Sequence, residues 1–180
     1  MSRIIWHPLN DTDPDIGWRY LDTSCDLMMP WYTIGCLEWL VQQNLSEMSV
    51  FEYGCGISST WWRQHCKVWK GVDHNPKWAN GGMVPLNPNG TINDDLYIKA
   101  PLGENYDIVV IDGLHRDQCV PQALSVLNPN GHIIIDNWDQ PSVGQGMDSW
   151  PRALVLLKDF KKAVHKQPTH DDWKTAIFSR

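Results

Sequence analysis

Apolar residues along this chain fall into short continuous runs separated by polar turns. Runs of four to eight apolar residues bounded by turn residues are typical of strands buried on both faces of a parallel sheet. The runs predict six strands, at residues 49–53, 67–73, 83–86, 106–113, 132–136 and 175–180.

Helical spacing of apolar residues separates most of these runs. The spacing predicts a helix from Trp31 to Val41, with Pro30 at its start, and a second helix over 58–66. Further helices are predicted over 115–127 and 152–164, and a loop over 86–94. Residues 1–30 contain three prolines and many polar residues, which predicts an extended, irregular lead-in.

Strands that alternate with helices predict an α/β fold of three layers, in which a doubly wound, Rossmann-like sheet is covered by helices on both faces. A chain of 180 residues suits one domain. We therefore expect a single domain over 1–180, with residues 1–30 as lead-in and 31–180 as core. In such sheets the ligand lies outside the carboxyl ends of the strands.

Composition and charge narrow the classes of partner. The formal net charge of −6 argues against non-specific binding to duplex nucleic acid, which needs a basic face. No stretch approaches the roughly 18 apolar residues that span a bilayer, and the first residues lack the layout of a signal peptide. Five cysteines without a C-x-x-C pair indicate reduced thiols, so we expect a cytoplasmic protein without a membrane partner.

The segment EYGCGISSTWW, which follows the first strand, carries the most informative pattern. A dinucleotide site prefers G-x-G-x-x-G, but here Ser59 replaces the third glycine, and Glu52 stands before the loop where it would oppose a pyrophosphate. A carboxylate at that place suits a ligand with an amino group. Asp73, at the end of the second strand, is suited to accept both hydroxyls of a ribose. An amino group and a ribose without phosphate describe S-adenosylmethionine.

Four segments in order resemble motifs of the class I S-adenosylmethionine-dependent methyltransferases: EYGCGISSTWW with VDHNP, YDIVVIDG, LNPNGHIIIDN and the terminal WKTAIF. The lead-in PWYTIGCLEWL resembles small, poorly characterised bacterial and phage-type members. The resemblance implies a mostly parallel sheet whose C-terminal strand is antiparallel. It also implies a set of cofactor contacts: Glu52, Gly54, Cys55, Gly56 and Ser59 at the first motif, Asp73 at the ribose, His74 near the adenine, and Asp112 near the methionine. The family's further adenine contact, before the fourth strand, aligns poorly with Asp94 and Asp95.

On the acceptor side, Asp112, Asp136 and Asn137 resemble the magnesium ligands of the catechol-type O-methyltransferases. Oxygen ligands of this kind suit Mg²⁺. His115 is a candidate catalytic base because its ordinary pKa lies near neutrality, and Asp112 is a second candidate catalytic residue.

The leading hypothesis is therefore a methyltransferase that uses S-adenosylmethionine, with or without Mg²⁺, on a small-molecule acceptor at oxygen. The tetrapeptide of amino-methylating DNA enzymes and the Pro-Cys nucleophile of the cytosine-C5 type are absent from the sequence. Aromatic residues of the lead-in are candidates for the acceptor wall: Trp6, Trp18, Tyr20, Trp31 and Tyr32. Two alternatives stay open, a nucleotide-binding oxidoreductase of the same sheet type and a cofactor-binding module without turnover. The oligomeric state is not predicted.

Overall fold

A computed structural model of the chain describes residues 3–7, 19–138, 150–168 and 170–180. The strands are β1 (Ile4–His7), β2 (Arg19–Asp22), β3 (Leu27–Met28), β4 (Ser49–Tyr53), β5 (Val68–Val72), β6 (Tyr106–Ile111), β7 (Leu127–Ile135), β8 (Lys161–Gln167) and β9 (His170–Ser179). The α-helices are α1 (Ile34–Leu40), α2 (Ile57–His65), α3 (Asp94–Ile98), α4 (Arg116–Ser125) and α5 (Pro151–Leu156). No helix within the described ranges has the length and apolar character needed to cross a bilayer.

The main sheet has six strands in the order β5-β4-β6-β7-β9-β8. The strands from β5 to β7 pair in parallel, and β9 runs antiparallel between β7 and β8. This arrangement confirms the predicted fold class, including the antiparallel C-terminal strand. Four parallel strands end on one row of paired residues, Val72, Tyr53, Ile111 and Ile135. The residues that follow this row are Asp73, Gly54, Asp112 and Asp136.

Alternate residues of the central strands supply two cores, one on each face of the sheet. On β6, Val109 and Ile111 pack with α4 and α5, while Ile108 and Val110 pack with α1 and α2. All four side chains are fully buried, as expected for a strand covered on both faces.

The prediction of an irregular lead-in is wrong for its described residues. β1, β2 and β3 form a separate antiparallel sheet, in which Ile4 pairs with Asp22 and Leu21 pairs with Met28. Ile4 is buried in the core that includes α1 and α2. These strands are only two to four residues long and stand between polar residues in the sequence, so they give no clear strand pattern. Tertiary packing decides their structure.

The predicted helix over 152–164 is also wrong in its second half. The helix α5 ends at Leu156, and β8 follows as the outer strand of the sheet, paired with β9. An edge strand faces solvent, so the exposed lysines of β8 mask any strand alternation in the sequence.

At the other edge, the predicted strand 83–86 is reduced to a parallel bridge between Met83 and Val72. The helix α3 was not predicted. It begins where the Asn93 side chain accepts a hydrogen bond from the Leu96 amide, within the stretch predicted as a loop.

Candidate functional site

A cavity of about 480 Å³ lies at the carboxyl ends of β4, β5 and β6. This is the edge of the sheet where open α/β folds bind ligands. The residues that line it are Trp31, Gly54, Cys55, Gly56, Ile57, Ser58, Asp73, His74, Trp78, Asp112, Gly113, Leu114 and Arg116.

Two glycines bring the loops after β4 and β6 into contact beneath this cavity. Gly54 has a φ of 85°, and a Cβ there would lie 2.5 Å from the carbonyl oxygen of Asp112. A Cβ on Gly113 would lie 1.9 Å from the hydroxyl of Tyr97. Gly56 is different, because its ideal Cβ position has no neighbouring atom within 4 Å. The first two glycines serve the fold, while Gly56 leaves bare backbone facing the cavity.

Asp73, the residue directly after β5, lines the cavity. Its side chain is buried, and its two oxygens accept one hydrogen bond each, from the Cys55 amide at 2.9 Å and the Asn75 amide at 2.6 Å. A carboxylate has about four lone-pair positions, so two remain for a ligand with a pair of hydroxyls. His74 also lines the cavity, with Nδ1 3.4 Å from Asp73.

Glu52 lies beneath the glycine loop, and neither it nor Ser59 lines the cavity. Its Oε2 accepts hydrogen bonds from the Ser59 hydroxyl at 2.7 Å and the Trp69 indole at 3.1 Å. The Ser59 hydroxyl in turn accepts from the Gly56 amide at 3.1 Å, so Glu52 supports the loop from below. Burial raises the pKa of Glu52 to about 7, and its Oε1 has no partner among the described residues. A direct contact between Glu52 or Ser59 and the ligand stays a prediction.

Arg116, which the sequence analysis did not select, joins the ends of β6 and β7. Its guanidinium donates to the carbonyl oxygens of Gly113 at 2.9 Å, Asp136 at 2.6 Å and Asp112 at 3.4 Å. It also donates to Asn137 Oδ1 at 2.9 Å and lies 3.2 Å from Asp112 Oδ1. Four of these contacts are hydrogen bonds, and the fifth, to Asp112 Oδ1, is an ion pair. The one sign of this role in the sequence is an arginine at the first position of the helix that follows β6, and that position alone does not predict these contacts.

The three side chains predicted to bind magnesium each contact other groups of the protein. Asp112 and Asn137 face the Arg116 guanidinium, whose positive charge takes the place expected for the metal ion. The Asp136 carboxylate instead accepts from the Thr175 hydroxyl at 2.6 Å and the Trp173 indole at 3.2 Å. Two of the three expected ligands are therefore committed to a protein cation, and the third to neutral donors, so this arrangement does not fit Mg²⁺.

The pKa values of the Asp112 and Asp136 carboxyl groups are both raised. Burial and the neighbouring Asp136 charge raise the pKa of Asp112 well above its ordinary value, while Arg116 opposes this effect. Burial raises the pKa of Asp136 to about 6. Asp112 keeps 23% of its side chain exposed at the cavity, so it is the one of the pair that a ligand can reach.

His115 occupies a left-handed position before α4, with φ of 50°. Its Nε2 lies 3.1 Å from Asp94 Oδ1, and its ring packs edge-on to Tyr97. The side chain is directed to α3 and does not line the cavity. Its role as a base stays a prediction, and this placement favours Asp112 instead. The same ion pair engages Asp94, one of the two residues considered for the adenine.

Among the aromatic residues expected to form the acceptor wall, Trp31 lines the cavity. Tyr32 is fully buried, with its hydroxyl 3.4 Å from the Trp62 indole nitrogen. The Tyr20 hydroxyl accepts a hydrogen bond from the Gln167 side chain. Trp18 and the side chain of Trp6 lie outside the described residues. Trp78, 55% exposed beside His74, was not predicted as a lining residue.

No protein-family model matches this sequence, and no curated protein does so either. Solved structures do match the fold. The O-methyltransferase from Bacillus cereus in complex with SAH is 15% identical, with a TM-score of 0.57 over 84% of this chain and 84% of that chain. TomG, an O-methyltransferase from Streptomyces achromogenes with bound SAM, is 14% identical, with a TM-score of 0.55 over 81% of this chain and 78% of its own.

The chain has the class I methyltransferase fold. NodS, an N-methyltransferase from Bradyrhizobium japonicum WM9, has the same fold, at 13% identity and a TM-score of 0.54 over 81% of this chain and 94% of its own. The resemblance seen in the sequence is confirmed at the level of the fold. Within this methyltransferase fold the cavity lies where the strand-end motifs predicted it.

Substitution by alanine distinguishes a glycine that the fold requires, Gly113, from Gly56, which faces the cavity. We expect Gly113→Ala to destabilise the protein by about 1–3 kcal/mol, because overpacking displaces Tyr97 or the neighbouring loop. Gly56→Ala should destabilise the protein less, because its new methyl group meets no atom of the protein and only the N-cap preference for glycine is lost. Thermal unfolding of both variants measures this difference, and equal destabilisation would contradict the assignment.

Removal of the Arg116 charge should destabilise the fold strongly. We expect Arg116→Met to lose about 3–5 kcal/mol in urea unfolding, because the Asp112 carboxylate is left without its cation. Arg116→Lys should lose less, since it keeps the charge but not the five donors. Addition of millimolar MgCl₂ should stabilise neither the wild type nor Arg116→Met. A specific rise of the wild-type midpoint with Mg²⁺ would restore the magnesium hypothesis.

Proposed function

We propose that this protein is a methyltransferase that transfers the methyl group of S-adenosylmethionine to a hydroxyl oxygen of a small molecule. The observation that carries the proposal is the buried Asp73 carboxylate, which has two lone-pair positions left toward the cavity. A ribose with two hydroxyls satisfies both positions. The backbone of Gly54 and Gly56 beside it leaves room for the methionine part of the cofactor.

The size of the cavity suits a small-molecule ligand such as the cofactor. Its volume of about 480 Å³ falls within the range of about 300–1,000 Å³ typical of small-molecule sites. His74 and Trp78 flank the Asp73 side and suit an adenine ring, whereas Asp112, Leu114 and Arg116 lie toward β6 and suit the reacting end.

At the reacting end we assign Asp112 as the general base. A carboxylate with a raised pKa is a better proton acceptor near neutral pH than an ordinary one. The acceptor oxygen forms a bond to the methyl carbon, the carbon–sulfur bond breaks, and the hydroxyl proton passes to Asp112. The neutral thioether product, S-adenosylhomocysteine, keeps the electron pair of the broken bond. Arg116 holds the Asp112 carboxylate at the cavity and does not itself transfer a proton.

A hydroxyl acceptor is favoured over a neutral amine, because a hydroxyl must lose its proton as it attacks and the Asp112 carboxylate can accept that proton. The fold alone supports either, since the similar structures include O-methyltransferases and an N-methyltransferase. A small acceptor is favoured by the net charge of −6, which disfavours nucleic acid, and we expect the protein to act in the cytoplasm without a membrane partner.

Cofactor affinity tests the assignment of Asp73. We expect Asp73→Ala to weaken S-adenosylmethionine binding at least tenfold in calorimetry, because charge-assisted hydrogen bonds to the ribose are lost. Asp73→Asn keeps the shape and one acceptor oxygen, so its loss should be smaller. Asp159→Ala, an exposed acid between α5 and β8, is the matched control. Wild-type binding of NAD with equal affinity would favour the oxidoreductase instead.

The base assignment predicts a pH dependence. The carboxylate of Asp112 is active when deprotonated, so the rate should rise with pH through its raised pKa and then level off. In a panel of small hydroxyl acceptors with S-adenosylmethionine, Asp112→Asn should lower the turnover of any active acceptor about 100-fold and remove the rise. Its cofactor affinity should stay near the wild-type value. His115→Asn is the control, and a larger loss there would move the base to His115. Cofactor binding without turnover of any hydroxyl or amine acceptor would favour a non-catalytic module.

A further inference from the structure

Outside the cavity, three side chains with metal-binding atoms converge where the small sheet meets α2. Asp22 ends β2, Cys25 lies in the following turn, and His65 ends α2. Their ligand atoms all lie within 4.8 Å of one another. Within the described ranges this is the one group of three or more such residues.

The hydrogen bond of His65 fixes the direction of its free nitrogen. Nδ1 lies 2.8 Å from the carbonyl oxygen of Trp61, which only accepts, so Nδ1 carries the proton. In the neutral ring, the lone pair of Nε2 then faces Asp22 Oδ2 at 3.1 Å and Cys25 Sγ at 3.8 Å. These three atoms therefore need a proton among them, on the Cys25 thiol or on Nε2 of the ring, unless a bound cation takes its place.

We propose that Asp22, Cys25 and His65 form a zinc site. In tetrahedral coordination the bond lengths of about 2.0–2.3 Å separate neighbouring ligand atoms by about 3.3–3.6 Å. The Nε2–Oδ2 and Nε2–Sγ distances of 3.1 and 3.8 Å bracket that range. A thiolate with an imidazole selects zinc over magnesium or calcium.

The surroundings of the three residues match those of a metal site. The His65 proton on a backbone carbonyl is the usual second contact of a ligating histidine. The Trp61 ring stacks on His65 at 4.3 Å, and its indole donates to Asp22 at 2.9 Å. Arg3 holds the same carboxylate through both oxygens, at 2.8 and 2.7 Å. The Ser24 amide and hydroxyl also donate to Asp22 Oδ1, at 3.0 and 2.7 Å. Because Asp22 is already engaged by these protein donors, the thiolate and imidazole would be the principal ligands.

The site would join two parts of the fold that are distant in sequence. Asp22 and Cys25 belong to the small sheet and its turn, while His65 belongs to the helix that begins at the glycine loop. The side chain of His65 is 12% exposed and Cys25 is half-buried, so a water molecule can take the fourth position. Zinc would therefore clamp the small sheet to α2 at the end remote from the cofactor.

Titration of metal-free full-length protein with Zn²⁺ tests the site. We expect one zinc per chain, a rise in melting temperature with saturating zinc, and at least tenfold weaker binding in Cys25→Ser and His65→Gln. Cys66→Ser is the matched control, because the Cys66 thiol is adjacent in sequence but contacts the Val68 carbonyl at 3.3 Å. Asp22 is left intact, since its loss would also strand Arg3.

Cobalt provides a second readout that does not depend on stability. Co²⁺ should give the absorption of a thiolate-bound tetrahedral ion in the wild type and in Cys66→Ser, but not in Cys25→Ser. Unchanged binding in Cys25→Ser, or binding without defined stoichiometry, would overturn the proposal. Absence of zinc binding would also overturn the proposal. Protonation of both His65 ring nitrogens, observed by NMR, would then assign the position to a proton.

Discussion

The common end of four parallel strands is the constraint on which the site depends. Val72, Tyr53, Ile111 and Ile135 pair in one row, so the next residue of each strand lies at the same edge of the sheet. Three of those next residues are aspartates: Asp73, Asp112 and Asp136. Register thus concentrates negative charge at one place, and the structure accommodates each carboxylate differently.

Each carboxylate at that edge has its own set of partners. Asp73 accepts from two backbone amides, Asp136 accepts from neutral side chains of β9, and Asp112 faces a guanidinium. Buried acids near one another resist ionisation, and the pKa values of Asp112 and Asp136 are both raised. The same edge therefore holds one acid suited to bind hydroxyls and one suited to accept a proton.

The sequence was sufficient for the parts of the site that depend on strand order. Asp73, Gly54, Gly56 and Asp112 follow apolar runs directly, so their place at the cavity was predictable from the alternation of strands and helices. Arg116 was not, because its role depends on a side chain that folds back from α4 to carbonyl groups distant in sequence. The expected magnesium ligands were correctly placed at the strand ends, but residue type alone does not reveal that a neighbouring arginine already faces two of them.

Edge strands caused the remaining errors in the predicted fold. β8 has exposed lysines where a core strand has apolar residues, and the strands of the small sheet, β1, β2 and β3, have only two to four residues each. Such segments gain their structure from a partner strand, which a single-sequence pattern does not contain. The helix α3 was missed for a related reason, since five residues are too few for a periodic signal.

Residues 83–86 contribute only the Met83 bridge to the sheet, so β5 is an edge strand, paired along its length with β4 and held at its end by hydrogen bonds of Met83 with Gly71 and Asp73. Asp73 follows directly on this strand, so its carboxylate belongs to a margin of the sheet rather than to its centre. Margins of a sheet open locally at lower free energy than central strands do. Local opening of β5 would move Asp73 while the β6–β7 centre, with Asp112 and Arg116, remains folded. The two sides of the cavity can therefore open independently of each other.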